Sequence, residues 1–319
     1  MKVIDLSSLG KQRVSFYLAL EEYLLISSKE EFFFLWDIDA SIVIGKHQLM
    51  EAEVNMDYVK KNNLFVYRRP SGGGAIYADD GCFMFTFLSR IKNKKRVFKR
   101  LELIALALKD IGLDVYFSGR NDLLYKEKKF SGNSYYQTSE GSILHGTFLY
   151  DTNIEALVKS ITPNNEKLIS KGIKSVKERV INLKEYLNLS KQEVMNHLNN
   201  FIAKEKQILT KKDLKEILKI EKNFLSKDWL LEKEPPFIYR NKITFSYGTL
   251  EVFVDVYKGK VKTIDLKGDF FTLLELNEFL NYFKGLDFSK DAFLKKLKEI
   301  DISFYIIEAK NEDFIKLLF

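Results

Sequence analysis

Residues 64–88 read LFVYRRPSGGGAIYADDGCFMFTFL, two segments whose apolar residues alternate as in strands, on either side of three consecutive glycines. Such a triplet bends the chain sharply and brings backbone N–H groups together with no Cβ in the way, so it can form a concave nest for an anion. Arg68 and Arg69, just before it, stay charged and match phosphate or carboxylate oxygens two at a time. The element commits the chain to strands that end at an anion site or, on the glycines alone, at a tight turn. Neither common nucleotide motif fits. No Gly-Lys pair has P-loop spacing, and Tyr77 stands where a dinucleotide fingerprint needs glycine.

Downstream, residues 119–136 read GRNDLLYKEKKFSGNSYY and residues 143–151 read ILHGTFLYD. Asn121 and Asp122 precede an apolar run, and a lysine-rich turn leads into Lys129, Ser131 and Gly132, where a positive charge beside a Ser-Gly pair can meet a carboxylate. In a strand through Ile143–Leu149, His145 and Thr147 share a face with Leu149. Read singly, Lys126, Lys128 and Lys129 equally suit a solvated hairpin tip, and His145 a structural hydrogen bonder. Residues 162–183, TPNNEKLISKGIKSVKERVINL, form a basic loop whose Lys171, Gly172, Lys174, Ser175, Lys177 and Arg179 suit a flap over a polyanion.

In order and spacing, RRPSGGGAIYADDGC, GRNDLL, KFSGNS, LHGTFL and KGIKSVKERVINL resemble the motifs of the lipoate-protein ligase family. FFFLWDIDASIVIGKHQ is similar to that family's strand pair ending in Ile-Gly and a glutamine, so the resemblance spans most of residues 15–190. The chain departs from the pattern at Ala78, where the family has histidine, and at Cys82, where it has asparagine. Leu144 replaces the first histidine of a pair, and Ser134 an alanine.

The resemblance implies an α+β fold, with a mixed-sheet, biotin/lipoate ligase-like catalytic domain of class II synthetase type over residues 1–235 and a small α+β accessory domain over residues 236–319. It implies an ATP-dependent ligase that activates lipoate, or octanoate, as acyl-AMP and passes it to a lysine ε-amine on carrier proteins: E2 subunits of 2-oxoacid dehydrogenases and H-like proteins of glycine cleavage. Lys129 is then the catalytic residue, bridging the lipoate carboxylate and the α-phosphate. ATP falls to Arg69, Gly73, Gly74, Ala75, Ile76, Tyr77, Asn121, Asp122, Lys129 and Lys171. Lipoate falls to Arg69, Ser71, Gly72, Gly73, Lys129, Ser131, Gly132, His145, Gly146 and Thr147. Mg2+ enters with the ATP phosphates rather than at a protein-only site, since His47, His145 and His197 are scattered. Two other readings stand beside it: an ATP-independent octanoyl or lipoyl transferase with Cys82 as nucleophile, and a basic nucleic-acid-binding protein.

Composition fits an enzyme of about two domains: 319 residues, 46% hydrophobic. A single cysteine excludes an intrachain disulfide framework and agrees with a reducing, cytoplasmic setting. The N-terminal FYLALEEYLLI is interrupted by Glu21 and Glu22, which argues against a signal peptide or membrane span. A monomer without nucleic-acid or membrane partners is expected. The net charge of +7 is densest in Lys92–Arg100, a solvated helix face that could steer acidic carriers.

Local signals fill in the rest. Ser190 with Glu193 makes a capping box, a helix follows over Lys211–Lys222, and Pro235-Pro236 punctuates the chain. Leu250, Val252, Val254 and Val256 alternate onto one face, Thr272 with Glu275 caps a helix, and Ser289 starts another. Along Cys82–Leu88, Phe83, Phe85 and Phe87 share one face and Cys82, Met84 and Thr86 the other; one face meets core and one is material for an acyl tunnel.

Overall fold

The computed structural model describes every residue except His47, Leu49, Arg120, 162–174 and 233–236. It divides into two compact units, the first formed by Met1–Gln48 with Ala52–Leu230 and the second chiefly by Leu231–Phe319. Both are α+β. The strands of the first are β1 (Lys2–Asp5), β2 (Phe32–Trp36), β3 (Ser41–Ile44), β4 (Phe65–Arg68), β5 (Ile76–Ala78), β6 (Cys82–Ser89), β7 (Tyr116–Phe117), β8 (Asp122–Tyr125), β9 (Lys128–Gln137), β10 (Ser142–Leu149) and β11 (Lys206–Ile208). They form a large mixed sheet in the order β11-β1-β2-β6-β10-β9-β8-β7 and a small one in the order β4-β3-β5.

Every residue of β2, β6 and β10 is buried, which is why these strands carry near-continuous apolar runs: both faces of the sheet are covered. One face gathers Phe33, Phe83, Phe85, Phe87, Leu144 and Phe148 under helices Leu101–Asp110 and Lys191–Ile202. Phe83 stacks on Phe148 with ring centroids 4.3 Å apart. Burying each such ring contributes on the order of 1.5–3 kcal/mol. The other face gathers Phe32, Phe34, Trp36, Cys82 and Met84 under helices Val14–Ser27 and Lys211–Phe224 and the small sheet, which contributes Val43, Tyr67 and Ala78. The phenylalanine stripe of β6 is therefore core. Its Cys82–Met84–Thr86 face lies on the side from which the glycine loop, between β4 and β5, approaches.

The basic segment forms two helices rather than one, Lys94–Phe98 and Leu101–Asp110, the first capped by the Asn93 side chain. Val97 and Phe98 join the phenylalanine face, so the exposed Lys94, Lys95 and Arg96 lie across the large sheet from the glycine loop.

The hairpin between β8 and β9 turns on Lys126 and Glu127, both left-handed at φ 48° and 61°. That is the type I′ geometry that two-residue hairpins favour, built without glycine. Glu127→Gly is expected to stabilise the fold by about 0.5–1 kcal/mol, strain relief exceeding the entropy glycine adds to the unfolded chain. A urea midpoint that falls instead would show that the Glu127 contact with the Tyr116 hydroxyl, 2.6 Å, outweighs the strain.

In the second unit β12 (Phe237–Phe245), β13 (Gly248–Tyr257) and β14 (Lys260–Gly268) make an antiparallel meander. Leu250, Val252, Val254 and Val256, at most 1% exposed, face a core shared with helices Leu276–Asn281, Lys290–Lys296 and Asn311–Leu318. Ser289 caps Lys290–Lys296 as expected. Thr272 does not cap: it pairs with Ile306 in an isolated bridge, and the helix begins after Glu275 without a side-chain cap. The Thr-x-x-Glu spacing was there, but a tertiary strand contact took the threonine's backbone.

Candidate active site

The glycine loop is held by its two arginines from beneath. Arg69, 5% exposed, donates from Nη1 to Val43 O (2.9 Å), from Nη2 to Gly72 O (2.8 Å) and Gly74 O (2.7 Å), and from Nε to Ser71 Oγ (3.1 Å). Arg68, fully buried, binds the carbonyls of Gly45, Lys46 and Gln48 at 3.0, 3.2 and 2.7 Å, and that of Leu230 at 2.6 Å. Burial lowers the Arg69 pKa to about 10, which leaves it charged at neutral pH. The residue expected to meet an anion thus has four of its N–H groups on Val43 O, Gly72 O, Gly74 O and Ser71 Oγ.

Two further contacts fix the loop. Gly45 lies so close that a Cβ there would sit 2.2 Å from Gly73 O. Ser134, on β9, donates to Gly72 O at 2.7 Å. Gly73 itself has φ +93°, a conformation that excludes most side chains.

Beside the loop opens a cleft of about 550 Å³. Its walls include Ala75, Ile76 and Tyr77 from the loop's exit, Asp122 from β8, Lys129 and Gly132 from β9, and Thr147 from β10. Lys129 Nζ lies 2.8 Å from Asp122 Oδ1, an ion pair out of hydrogen-bond alignment, with the two side chains 39% and 29% exposed. The ammonium rests over Gly132, where a Cβ would come within 2.7 Å of Lys129 Cε and Nζ. A bulge in β9 at Phe130, between the Leu123–Ser131 and Leu124–Lys129 pairs, turns Lys129 towards the cleft while Phe130 enters the core.

Of the residues singled out from sequence, the cleft brings together Ala75, Ile76, Tyr77, Asp122, Lys129, Gly132, Thr147 and Arg179. Others support it from behind. Asn121 exchanges hydrogen bonds with Asn133 across β8 and β9. Ser131 is buried with its Oγ 3.4 Å from Asn133 Oδ1, and Gly146 has no room for a side chain, a Cβ there meeting Asn133 Oδ1 at 1.9 Å. Ser71 and His145 are buried and bonded to each other at 2.6 Å. Lys171, Gly172 and Lys174 of the expected flap lie outside the described residues, and residues 175–179 are helical rather than loop.

Sequence reasoning gave no site role to Leu149, Leu157, Ile161, Val176 and Val180, which add apolar surface to the cleft lining. Val180 pairs with Lys129 as an isolated parallel bridge, so the KERVINL segment docks directly on the lysine's strand. The only available signal was the Val-Ile pair within that basic run.

Among the described residues no group of three His, Cys, Asp or Glu side chains could hold a metal ion, and no helix is long and apolar enough to cross a membrane. Cys82 is fully buried, and burial pushes its thiol up to about 12. It has neither the access nor the thiolate that a nucleophile needs.

The model of the lipoyl protein ligase A/B catalytic domain matches residues 13–203, and that of the bacterial lipoate protein ligase C-terminus matches residues 234–318. Lipoate-protein ligase LplJ of Bacillus subtilis is 30% identical, with 100% of both chains covered. A probable lipoate-protein ligase A of Mycoplasma pneumoniae is 34% identical over 90% of this chain and 88% of its own. Among solved structures, the fold is similar to the ligase of an archaeal lipoylation system from Thermoplasma acidophilum, studied with its E2 lipoyl domain (TM-score 0.64, 24% identity, 72% of this chain and 94% of that one). It is also similar to P. falciparum LipL1 in complex with lipoate (TM-score 0.61, 24% identity, 98% and 96%).

Proposed function

The chain belongs to the lipoate-protein ligase family, and we propose that it activates lipoate with ATP and transfers the acyl group to a lysine of a carrier protein. The observation that carries this reading is Lys129, an ammonium held at the cleft between the exit of the glycine loop and the β10 face.

A free carboxylate and an amine form a salt near neutral pH, not an amide. Attack of the carboxylate on the α-phosphate of ATP gives a mixed anhydride and releases pyrophosphate, and the barrier is largely the repulsion between two anions. Lys129 stands where one cation can serve both. Ala75, Ile76 and Tyr77 offer backbone to phosphate oxygens, with Gly73 and Gly74 completing the nest, while Asp122 anchors the ammonium until the anions draw it in. Positioning and preorganised charge then carry the step, and no enzyme nucleophile is required. Mg2+ would come with the nucleotide, held chiefly by phosphate oxygens and water, and Asp122, Glu127 and Glu178 are carboxylates of the cleft lining.

In the second step the carrier's ε-amine attacks the acyl carbonyl, a new C–N bond forms, the C–O bond to AMP breaks, and AMP leaves as a stable anion. A free lysine amine has a pKa of ~10.4. Desolvation beside Lys129 favours its neutral form, and Asp122 or the departing phosphate receives the last proton. The apolar surface of Leu149, Leu157 and Ile161 suits an aliphatic acid, octanoate included. E2 and H-like carriers are the acceptors in this reading, residues 1–235 hold the catalysis, 236–319 are accessory, and the protein works as a cytoplasmic monomer.

The test is transfer to a purified apo lipoyl domain followed by intact mass. Mass gain that requires both lipoate and Mg-ATP is expected; gain from an acylated carrier without ATP would replace the ligase with a transferase. Cys82→Ala separates the two further. Turnover within about twofold of the parent is expected, whereas loss of activity at unchanged Tm would restore Cys82 as a nucleophile.

A further inference from the structure

Glu21 sits inside helix Val14–Ser27 and is fully buried. A carboxylate away from water is costly unless paired and hydrogen-bonded. Its Oε1 accepts from Thr86 Oγ1 at 2.6 Å and lies 2.9 Å from His145 Nδ1, and Thr86 Oγ1 accepts in turn from Trp36 Nε1 at 2.9 Å. The His145 ring is flanked by Trp36 and Tyr136, each with its centroid 6.1 Å away. Its other nitrogen, Nε2, lies 2.6 Å from Ser71 Oγ, which accepts from Arg69 Nε at 3.1 Å. Arg69 Nη2 then holds the carbonyls of Gly72 and Gly74. A chain of contacts therefore runs from the buried carboxylate to the glycine loop, between residues up to 124 positions apart.

Each link restricts the next. A carboxylate at Nδ1 keeps a proton on that nitrogen and sets the ring's orientation, so Nε2 meets Ser71 in one geometry. Ser71 fixes the rotation of the Arg69 fork. In a trans peptide the C=O and the following N–H point in opposite directions. With the Gly72 and Gly74 carbonyls turned down onto Arg69, the N–H groups of Gly73 and Ala75 are turned away from it, on the side an anion would approach.

We propose that Glu21 is a positioning residue for nucleotide binding: through His145, Ser71 and Arg69 it presets the Gly73 and Ala75 amides that receive the phosphates. This rests on the reading of the glycine loop as the ATP cradle. Direct Mg-ATP binding by calorimetry on the full chain is the primary readout, because it does not depend on turnover. Glu21→Ala is expected to weaken Mg-ATP about tenfold, and Ser71→Ala at the far end of the chain by a similar factor. The double variant is expected to be no weaker than the weaker single, since both cut one chain, and Glu21→Gln, which keeps an acceptor for Thr86 and His145, to recover most of the affinity.

Unchanged Mg-ATP affinity in Glu21→Ala or Ser71→Ala, or a double variant whose loss is the product of the two singles, would overturn the proposal. Should Glu21→Ala fail to fold, Glu21→Leu, which fills the same space without an acceptor, takes its place in the same comparison with Ser71→Ala. Wild-type protein that binds Mg-ATP without forming acyl-AMP would sink the reaction assigned above and leave this proposal to stand or fall on the binding constants.

Discussion

Lys129→Ala is expected to reduce acyl-adenylate formation by a factor of roughly 10² to 10³ while leaving the melting temperature nearly unchanged. The two halves of that expectation have different causes. Lys129 and Asp122 are partly exposed, 39% and 29%, so their ion pair contributes no more than about 1 kcal/mol to stability. In the proposed reaction the same ammonium offsets two mutually repelling anions, in a cleft where Arg179 is the other cation among the described lining residues. Single-turnover detection of acyl-AMP, paired with thermal melts, checks both. Normal adenylation in the variant would remove Lys129 from the centre of the mechanism.

Gly45→Ala is expected to damage stability and activity together. A Cβ at Gly45 would lie 2.2 Å from Gly73 O, 3.1 Å from Gly73 C and 3.2 Å from Gly72 C, all backbone atoms that no rotamer change can move aside. The glycine loop itself must shift. Overpacking of this kind costs on the order of 1–3 kcal/mol. A displacement of about 1 Å in a positioned loop can lower turnover roughly 10²-fold. Urea denaturation and lipoate-dependent pyrophosphate exchange on one preparation measure both effects. Loss of stability with full exchange activity would mean that the loop's exact placement does not govern the reaction.

Much of this architecture was legible in residue order. The strands that cross the core alternate or run apolar, and the glycine triplet lies between two of them as its flanks required. Lys129 beside Ser-Gly suited a carboxylate or a solvated hairpin tip alike; the resemblance, not the juxtaposition, singled it out, and the fold brings it to the cleft. The arginines were legible as charge but not as geometry: a sequence shows that Arg69 carries five N–H groups, not that three neighbouring carbonyls and the Ser71 hydroxyl will take four hydrogen bonds from it. Glu21 was harder still. In FYLALEEYLLI it looks like one of two charges interrupting an apolar helix, yet Glu21 is fully buried and Glu22 only partly so, because His145 and Thr86, distant in sequence, supply its partners. Long-range hydrogen bonds leave no local periodicity to read. The same limit explains Thr272, where a strand contact displaced a well-spaced cap, and the basic helix, whose charge pointed to a partner while its apolar positions turned it to the far face of the sheet.

The central claim is that one cationic cleft drives an acid against ATP. Lipoate-dependent exchange of labelled pyrophosphate into ATP, with no carrier present, tests it most directly. The account predicts exchange that appears only when lipoate and Mg2+ are both added and that Lys129→Ala lowers by the same factor of roughly 10² to 10³. Lipoylation of a carrier without any such exchange would contradict it.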